Sequence, residues 1–289
     1  MRLLAMLSWL FFAVAAPAQA ASSPQLQPLE LQLSSLLAGR SGDVGLAAID
    51  LRSGQTVSVN GDKAYPMAST VKVAVAAAYL AQVDYGRRSI DDLIGGRSAH
   101  SLMQAMLIRS DNQATDILIR DLGGPSAVQA WIDFHRLPGV RIDRTIAQLL
   151  AAKRDLYDPR DSATPEAMVT LLRELDQGRL LRPASKNYLL STMRRCTTGS
   201  NRMKAFLPFG TPVEHKTGTL DGLTTDVGFI TLPDGRRLAV AFFARGGVDR
   251  PRSIAEAALT IYEGFKRSVF NRFQSMTPTI QTAVPAYGQ

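Results

Sequence analysis

Apolar and polar positions divide the chain into three blocks. In the first, leucines at helical spacing over residues 26–37 predict an N-terminal helix. A short apolar run over 45–51, a turn at Ser53-Gly54 and an alternating stretch over 55–60 then predict a β-hairpin. The second block is almost entirely helical in its periodicity. Tyr65-Pro66-Met67-Ala68-Ser69-Thr70-Val71-Lys72 passes from an extended entry into the apolar run 73–80, which predicts a buried helix. Further helical runs over 101–108, 114–119, 127–134, 167–175 and 180–193 are separated by Ser110-Asp111-Asn112, Gly123-Gly124-Pro125, Leu137-Pro138-Gly139 and Asp158-Pro159-Arg160-Asp161. Thr164-Pro165-Glu166 supplies a cap, a first-turn proline and an acid suited to a helix start. In the third block, runs over 213–219, 226–232 and 238–244 read as strands, and 253–267 as a closing helix.

Two strands before the helical block and three after it are most economically one antiparallel sheet. The pattern therefore predicts an α+β fold: a five-stranded sheet flanked by the terminal helices, with an all-helical subdomain inserted. The sheet part is expected over 21–65 and 205–268, the insert over 66–204, and a loose tail rich in Thr, Pro and Gln over 269–289. Ser69 lies where the sheet hands over to the insert, and such seams favour clefts.

Composition narrows the setting. Residues 1–20 carry Arg2, an apolar core over 3–15 and the small-residue site Ala18-Gln19-Ala20, which predicts a signal peptide and a secreted or periplasmic protein. No second stretch of that kind follows, so no membrane span is expected after cleavage. The net charge of +8 comes from scattered basic pairs without interleaved aromatics, which argues against a nucleic-acid partner. Cys196 is the single cysteine, so no intramolecular disulfide forms. His100, His135 and His215 lack metal-ligand spacing; no metal, no cofactor and a monomeric state are expected.

Three polar clusters carry candidate chemistry. Ser69 and Lys72 stand three apart at a helix start, so hydroxyl and amine share a face beside free N–H groups. Alone, the pair reads more readily as a cap and a solvated lysine. Ser110-Asp111-Asn112 interrupts an apolar helix pair, and by itself also fits a cap. Lys216-Thr217-Gly218-Thr219 lies on a predicted strand although lysine and glycine are poor strand formers; a strand glycine often permits close approach by another group.

Taken in order, S-x-x-K, S-D-N and K-T-G resemble the motif set of class A β-lactamases and penicillin-binding proteins, the serine penicillin-recognising hydrolase superfamily. The resemblance runs over roughly residues 26–267 and extends to the class A β-lactamase-related serine hydrolases. It implies a β-lactamase/DD-peptidase-like fold and a nucleophile at Ser69, with Lys72 as base and Ser110 and Lys216 moving a proton to the leaving nitrogen. Backbone N–H groups of Ser69 and Thr219 are expected to form the oxyanion hole. Asn112 is expected to hold the substrate amide, and Thr217, Gly218 and Thr219 with Lys216 to bind its carboxylate. Arg141-Ile142-Asp143-Arg144 and Asp161-Ser162-Ala163-Thr164-Pro165 resemble the two ends of the family's omega loop, with Arg144 and Asp161 paired across its base.

Two departures accompany the resemblance. Ile146 stands where the class A pattern has the glutamate that activates the deacylating water, and an isoleucine cannot polarise water. Glu166 falls in the next helix, where it reads as a helix-start acid; Asp155 or Asp158 reaches the site only if the loop folds differently. The connection from Lys72 to Ser110 is also shorter than the class A pattern, which predicts a more open cleft suited to larger substrates. The expected protein opens β-lactam amides or acyl-D-Ala-type compounds through Ser69, with slow deacylation. A DD-peptidase or esterase on cell-wall-like substrates, and a non-turnover domain that binds β-lactams or muropeptides, are the alternatives.

Overall fold

The computed structural model describes residues 23–275, with side chains to 267; the expected signal peptide and residues 276–289 lie outside the described residues. Helix α1 (Gln27–Ala38) leads into strands β1 (Asp43–Asp50) and β2 (Thr56–Val59). The chain returns to this sheet only at β7 (Val213–Leu220), β8 (Leu223–Thr231) and β9 (Arg237–Arg245), before closing with α9 (Arg250–Ser275). Every pairing is antiparallel and the order is β2-β1-β9-β8-β7, the five-stranded sheet that the pattern predicts. The last helix continues to Ser275, so the start of the expected loose tail is helix instead.

Both faces of the central strands are covered, which explains why β1 and β9 read as continuous apolar runs rather than alternating ones. Leu238, Val240, Phe242 and Ala244 of β9 pack against α1 and α9 through Leu29, Leu33, Ile254 and Ile261. The intervening Ala239, Ala241 and Phe243 join the larger core shared with the inserted helices. Each such Leu, Ile or Phe contributes about 1.5–3 kcal/mol by leaving water.

Between β2 and β7 lie a two-residue strand β3 (Tyr65–Pro66), a 3₁₀ helix (Ala68–Val71) and α2 (Lys72–Asp84). A small hairpin, β4 (Leu93–Ile94) with β5 (Arg97–Ser98), precedes α3 (Ala99–Ile108), α4 (Asn112–Asp121) and α5 (Pro125–Phe134). Then come α6 (Ile146–Ala151), β6 (Ser162–Ala163), α7 (Pro165–Asp176) and α8 (Pro183–Arg194). All residues of α2 from Lys72 to Ala81 are buried, so it is the central helix of the insert, apolar on every side except at its first residue. Thr164 caps α7 by accepting from Ala167 N, as its sequence predicts.

Candidate active site

The segment carrying Ser69 is held from three sides. Met67 N donates to Asp161 O at 2.9 Å, and Met67 O accepts from Thr70 Oγ1 at 2.7 Å and from Thr225 Oγ1 at 3.2 Å. Ala68 takes a left-handed φ of 50°, a conformation that costs a non-glycine residue about 1 kcal/mol or more and persists only where surroundings impose it. Ser69 and Lys72 lie on successive turns of 3₁₀ geometry, where Lys72 N donates to Ser69 O; side chains three apart eclipse there and stack on one face.

Lys72 is fully buried. Its Nζ donates to Ser110 O at 2.7 Å and Asn112 Oδ1 at 2.7 Å, and lies 3.2 Å from Ser110 Oγ. Ser110 has a φ of 61°, which turns both its carbonyl and its hydroxyl toward the lysine. From the other side Lys216, also fully buried, donates to the same Ser110 Oγ at 2.9 Å and to Thr217 O at 2.7 Å. Burial, followed by the charge of Lys216, brings the Lys72 ammonium down to about 7. Burial likewise lowers Lys216, to about 8. Near neutral pH one amine is therefore half deprotonated while the other stays mostly charged.

The third cluster reaches the site because β7 is the free edge of the sheet. A Cβ on Gly218 would come within 2.3 Å of Thr225 Oγ1, 2.7 Å of Met67 O and 3.0 Å of Ala68 Cβ. Only glycine lets the strand lie this close to the Ser69 segment. Thr217 Oγ1 is 2.5 Å from Thr198 Oγ1, and Thr219 is exposed at the mouth of the cleft, as is Asn112. The structure thus brings Ser69, Lys72, Ser110, Asn112, Lys216, Thr217, Gly218 and Thr219 to one seam between α2, α4 and β7. Asp111 serves as the α4 cap, accepting from Ala114 N at 2.7 Å.

Arg144 and Asp161 sit apart from this seam and join the ends of the intervening loop. Asp161 Oδ1 accepts from Asp143 N and Arg144 N at 2.8 and 2.9 Å, and Oδ2 from Arg144 Nε at 2.5 Å. Both side chains are nearly buried, with Asp158 on the second face of the guanidinium at 3.1 Å. The acids near this loop are engaged elsewhere: Asp155 accepts from Tyr157 N, Asp158 pairs with Arg144 and Arg160, and Glu166 accepts from Ser58 Oγ at 2.8 Å beside Gly61. Ile146 is buried in the main core. Its backbone N–H donates to Asp116 Oδ1 at 2.7 Å, and Ala147 N to Asp116 Oδ2 at 2.9 Å.

Several neighbours of the site were not legible beforehand. Asp116 ties α4 to the start of α6 close enough to act on the charge of Lys72; an acid on the same helix face as Ile119 was its one sequence signal. Arg202 donates from Nη1 to Gly218 O and Thr225 O, both at 2.9 Å, and from Nη2 to Thr219 Oγ1 at 2.7 Å. Behind β7, His215 Nδ1 meets Asp226 Oδ1 at 2.8 Å, with both side chains fully buried. Among the described residues no group of His, Cys, Asp and Glu has metal-site geometry, and no helix is long and apolar enough to cross a membrane.

With this geometry in place, comparison with known proteins is direct. The model of the β-lactamase enzyme family matches residues 28–265. β-Lactamase VEB-1 of Pseudomonas aeruginosa is 29% identical over 272 residues, which cover 84% of this chain and 89% of that protein. β-Lactamase CTX-M-8 of Citrobacter amalonaticus is 32% identical over 266 residues, 83% of this chain and 90% of its own. Among solved structures, an ancestral class A β-lactamase (GNCA) superposes with a TM-score of 0.78 at 33% identity, covering 82% of this chain and 100% of that one. A β-lactamase from Chitinophaga pinensis DSM 2588 gives a TM-score of 0.77 at 29% identity over 83% of this chain and 100% of its own. Matched in sequence and fold across most of its length, the chain belongs to the β-lactamase enzyme family.

Proposed function

We propose that this chain is an exported serine hydrolase that opens β-lactam amides through an acyl-enzyme on Ser69 and clears that acyl group slowly. The observation that carries the reading is the placement of Ser110 Oγ between two buried amines, 3.2 Å from Lys72 Nζ and 2.9 Å from Lys216 Nζ. An ammonium at Lys72 has three hydrogens for Ser110 O, Ser110 Oγ and Asn112 Oδ1. The neutral amine keeps two of those bonds and gains a lone pair, which accepts the Ser69 hydroxyl proton. Ser69 Oγ then bonds to the lactam carbonyl carbon, and backbone N–H groups of Ser69 and Thr219 hold the developing oxyanion.

Ser110, accepting from Lys216, passes its proton to the lactam nitrogen as the C–N bond breaks and takes one in return from the Lys72 ammonium 3.2 Å away, which restores both groups. The substrate carboxylate lies against Lys216, Thr217 and Thr219, with the Arg202 guanidinium adjoining Thr219. Deacylation lacks such equipment, because Ile146 occupies the water-activating position and the nearby acids are committed to other partners. The exposed Asn112 and Thr219 favour a second reading, hydrolysis of longer acyl-D-Ala-type peptides or esters at the same serine.

The test is intact-mass analysis of purified protein mixed with a penicillin, while a chromogenic cephalosporin reports turnover. A mass gain of one penicillin, absent in Ser69→Ala, is the expected result. Absence of both adduct and turnover would refute the β-lactam reading.

A further inference from the structure

A buried chain of polar groups runs behind the carboxylate end of the cleft. Cys196 follows α8 and is 4% exposed. On one side it faces the His215 ring, which acts on its charge and whose Nδ1 meets Asp226 Oδ1 at 2.8 Å. His215 Nε2 is buried without a hydrogen-bond partner, and Cys196 is among the groups that act on the charge of the ring. On the other side Cys196 Sγ is 3.3 Å from Thr198 Oγ1, and Thr198 Oγ1 is 2.5 Å from Thr217 Oγ1. His215 and Thr217 are two apart on β7 and so share a face, and Cys196 with Thr198 bridges them.

Each threonine hydroxyl has one hydrogen, which makes the chain directional. A Cys196 thiol, which has both Thr198 Oγ1 at 3.3 Å and Thr198 O at 3.9 Å as acceptors, leaves Thr198 free to donate to Thr217, and the Thr217 hydrogen is then available for a ligand. A thiolate only accepts: Thr198 must donate to it, Thr217 must then donate to Thr198, and Thr217 faces the cleft with lone pairs alone.

We propose that Cys196 sets the polarity of the Thr198–Thr217 pair and thereby governs how tightly the site holds a substrate carboxylate, strongly as the thiol and weakly as the thiolate. The proposal rests on the reading that Thr217 faces that carboxylate. The groups acting on Cys196 are His215 and Lys216 on β7, Asp226 on β8, and Arg202 in the segment between α8 and β7. Burial disfavours the thiolate; His215 and the Thr198 hydroxyl overcome it and bring the thiol down to about 6. Burial opposes charge on His215 too, yet Asp226 and Cys196 push the imidazole up to about 9. The switch therefore falls below the ordinary thiol range.

Because the chain has one cysteine, ¹³C-cysteine labelling gives a single resonance whose titration reads Cys196 directly. The sample is Ser69→Ala protein, which cannot be acylated, alone and with saturating benzylpenicillin or its methyl ester. Binding and ionisation are reciprocal, so a tenfold weaker hold by the thiolate moves the midpoint up by about one pH unit when the carboxylate binds. The methyl ester is expected to leave it in place. Simple repulsion between two anions also raises the midpoint, and Thr198→Val separates the two causes: the shift is expected to shrink several-fold there. A midpoint unmoved by penicillin, or a shift undiminished in Thr198→Val, overturns the proposal. The acyl-enzyme reading is tested independently by the mass of the wild-type adduct.

Discussion

Lys72 and Lys216, two fully buried amines, meet at one oxygen, the hydroxyl of Ser110. Burial in this poorly solvated seam, followed by repulsion from the Lys216 ammonium, holds Lys72 well below the usual lysine range. The arrangement divides labour: one amine near 7 suits a proton acceptor, and the other near 8 remains a cation for a carboxylate.

That division predicts a bell-shaped pH profile for acylation. Below pH 7 Lys72 is protonated and the second-order acylation constant is expected to fall about tenfold per pH unit. Above pH 8 Lys216 loses its charge and carboxylate-bearing substrates are expected to react more slowly again. Stopped-flow acylation of a chromogenic cephalosporin from pH 5 to 10 checks this. A flat profile across that range would contradict the assignment of Lys72 as base.

Gly218 gives a steric prediction. A methyl group there collides with Thr225 Oγ1 and with Met67 O, and the latter is backbone that cannot rotate away. Gly218→Ala is expected to push β7 from the Ser69 segment and slow acylation about 100-fold, since displacements near 1 Å carry that cost. Circular dichroism is expected to show the fold intact, because the contact involves an edge strand.

Asp161 links the loop base to the nucleophile, through its carboxylate to Arg144 and through its carbonyl to Met67 N. It also holds a φ of 53°, which Asn tolerates better than Ala. Asp161→Ala removes one of the two carboxylates on the largely buried Arg144 and the acceptor of two backbone N–H groups, and is expected to cost about 1–3 kcal/mol in chemical denaturation. Asp161→Asn retains the left-handed turn and acceptor capacity toward the backbone, and is expected to cost less. Equal losses in the two variants would show that the turn contributes nothing separate from the charge.

The sequence made the site legible where chemistry is local. Ser69 with Lys72, and Lys216 through Thr219, each lie within one turn or strand, so spacing alone brings them together. The sheet was equally readable, because its strands are bounded by Gly, Pro and Asp turns. Helix α6 was missed even though Thr145 and Gln148 form a capping box, because its six residues sit in a charged stretch with little periodicity. Strands β3 and β6 are two residues each, too short for any pattern. Asp116, Arg202, Asp226 and Cys196 depend on contacts between distant segments, and no spacing announces such partners.

The central claim is that the acylating half of the site is complete and the deacylating half is not. Pre-steady-state kinetics with a chromogenic cephalosporin test it most directly. The account predicts a burst of absorbance equal to one equivalent of enzyme, followed by a slow steady phase, with the acyl-enzyme on Ser69 as the dominant species by mass. Linear turnover from the first milliseconds, with free enzyme dominant throughout, would contradict it.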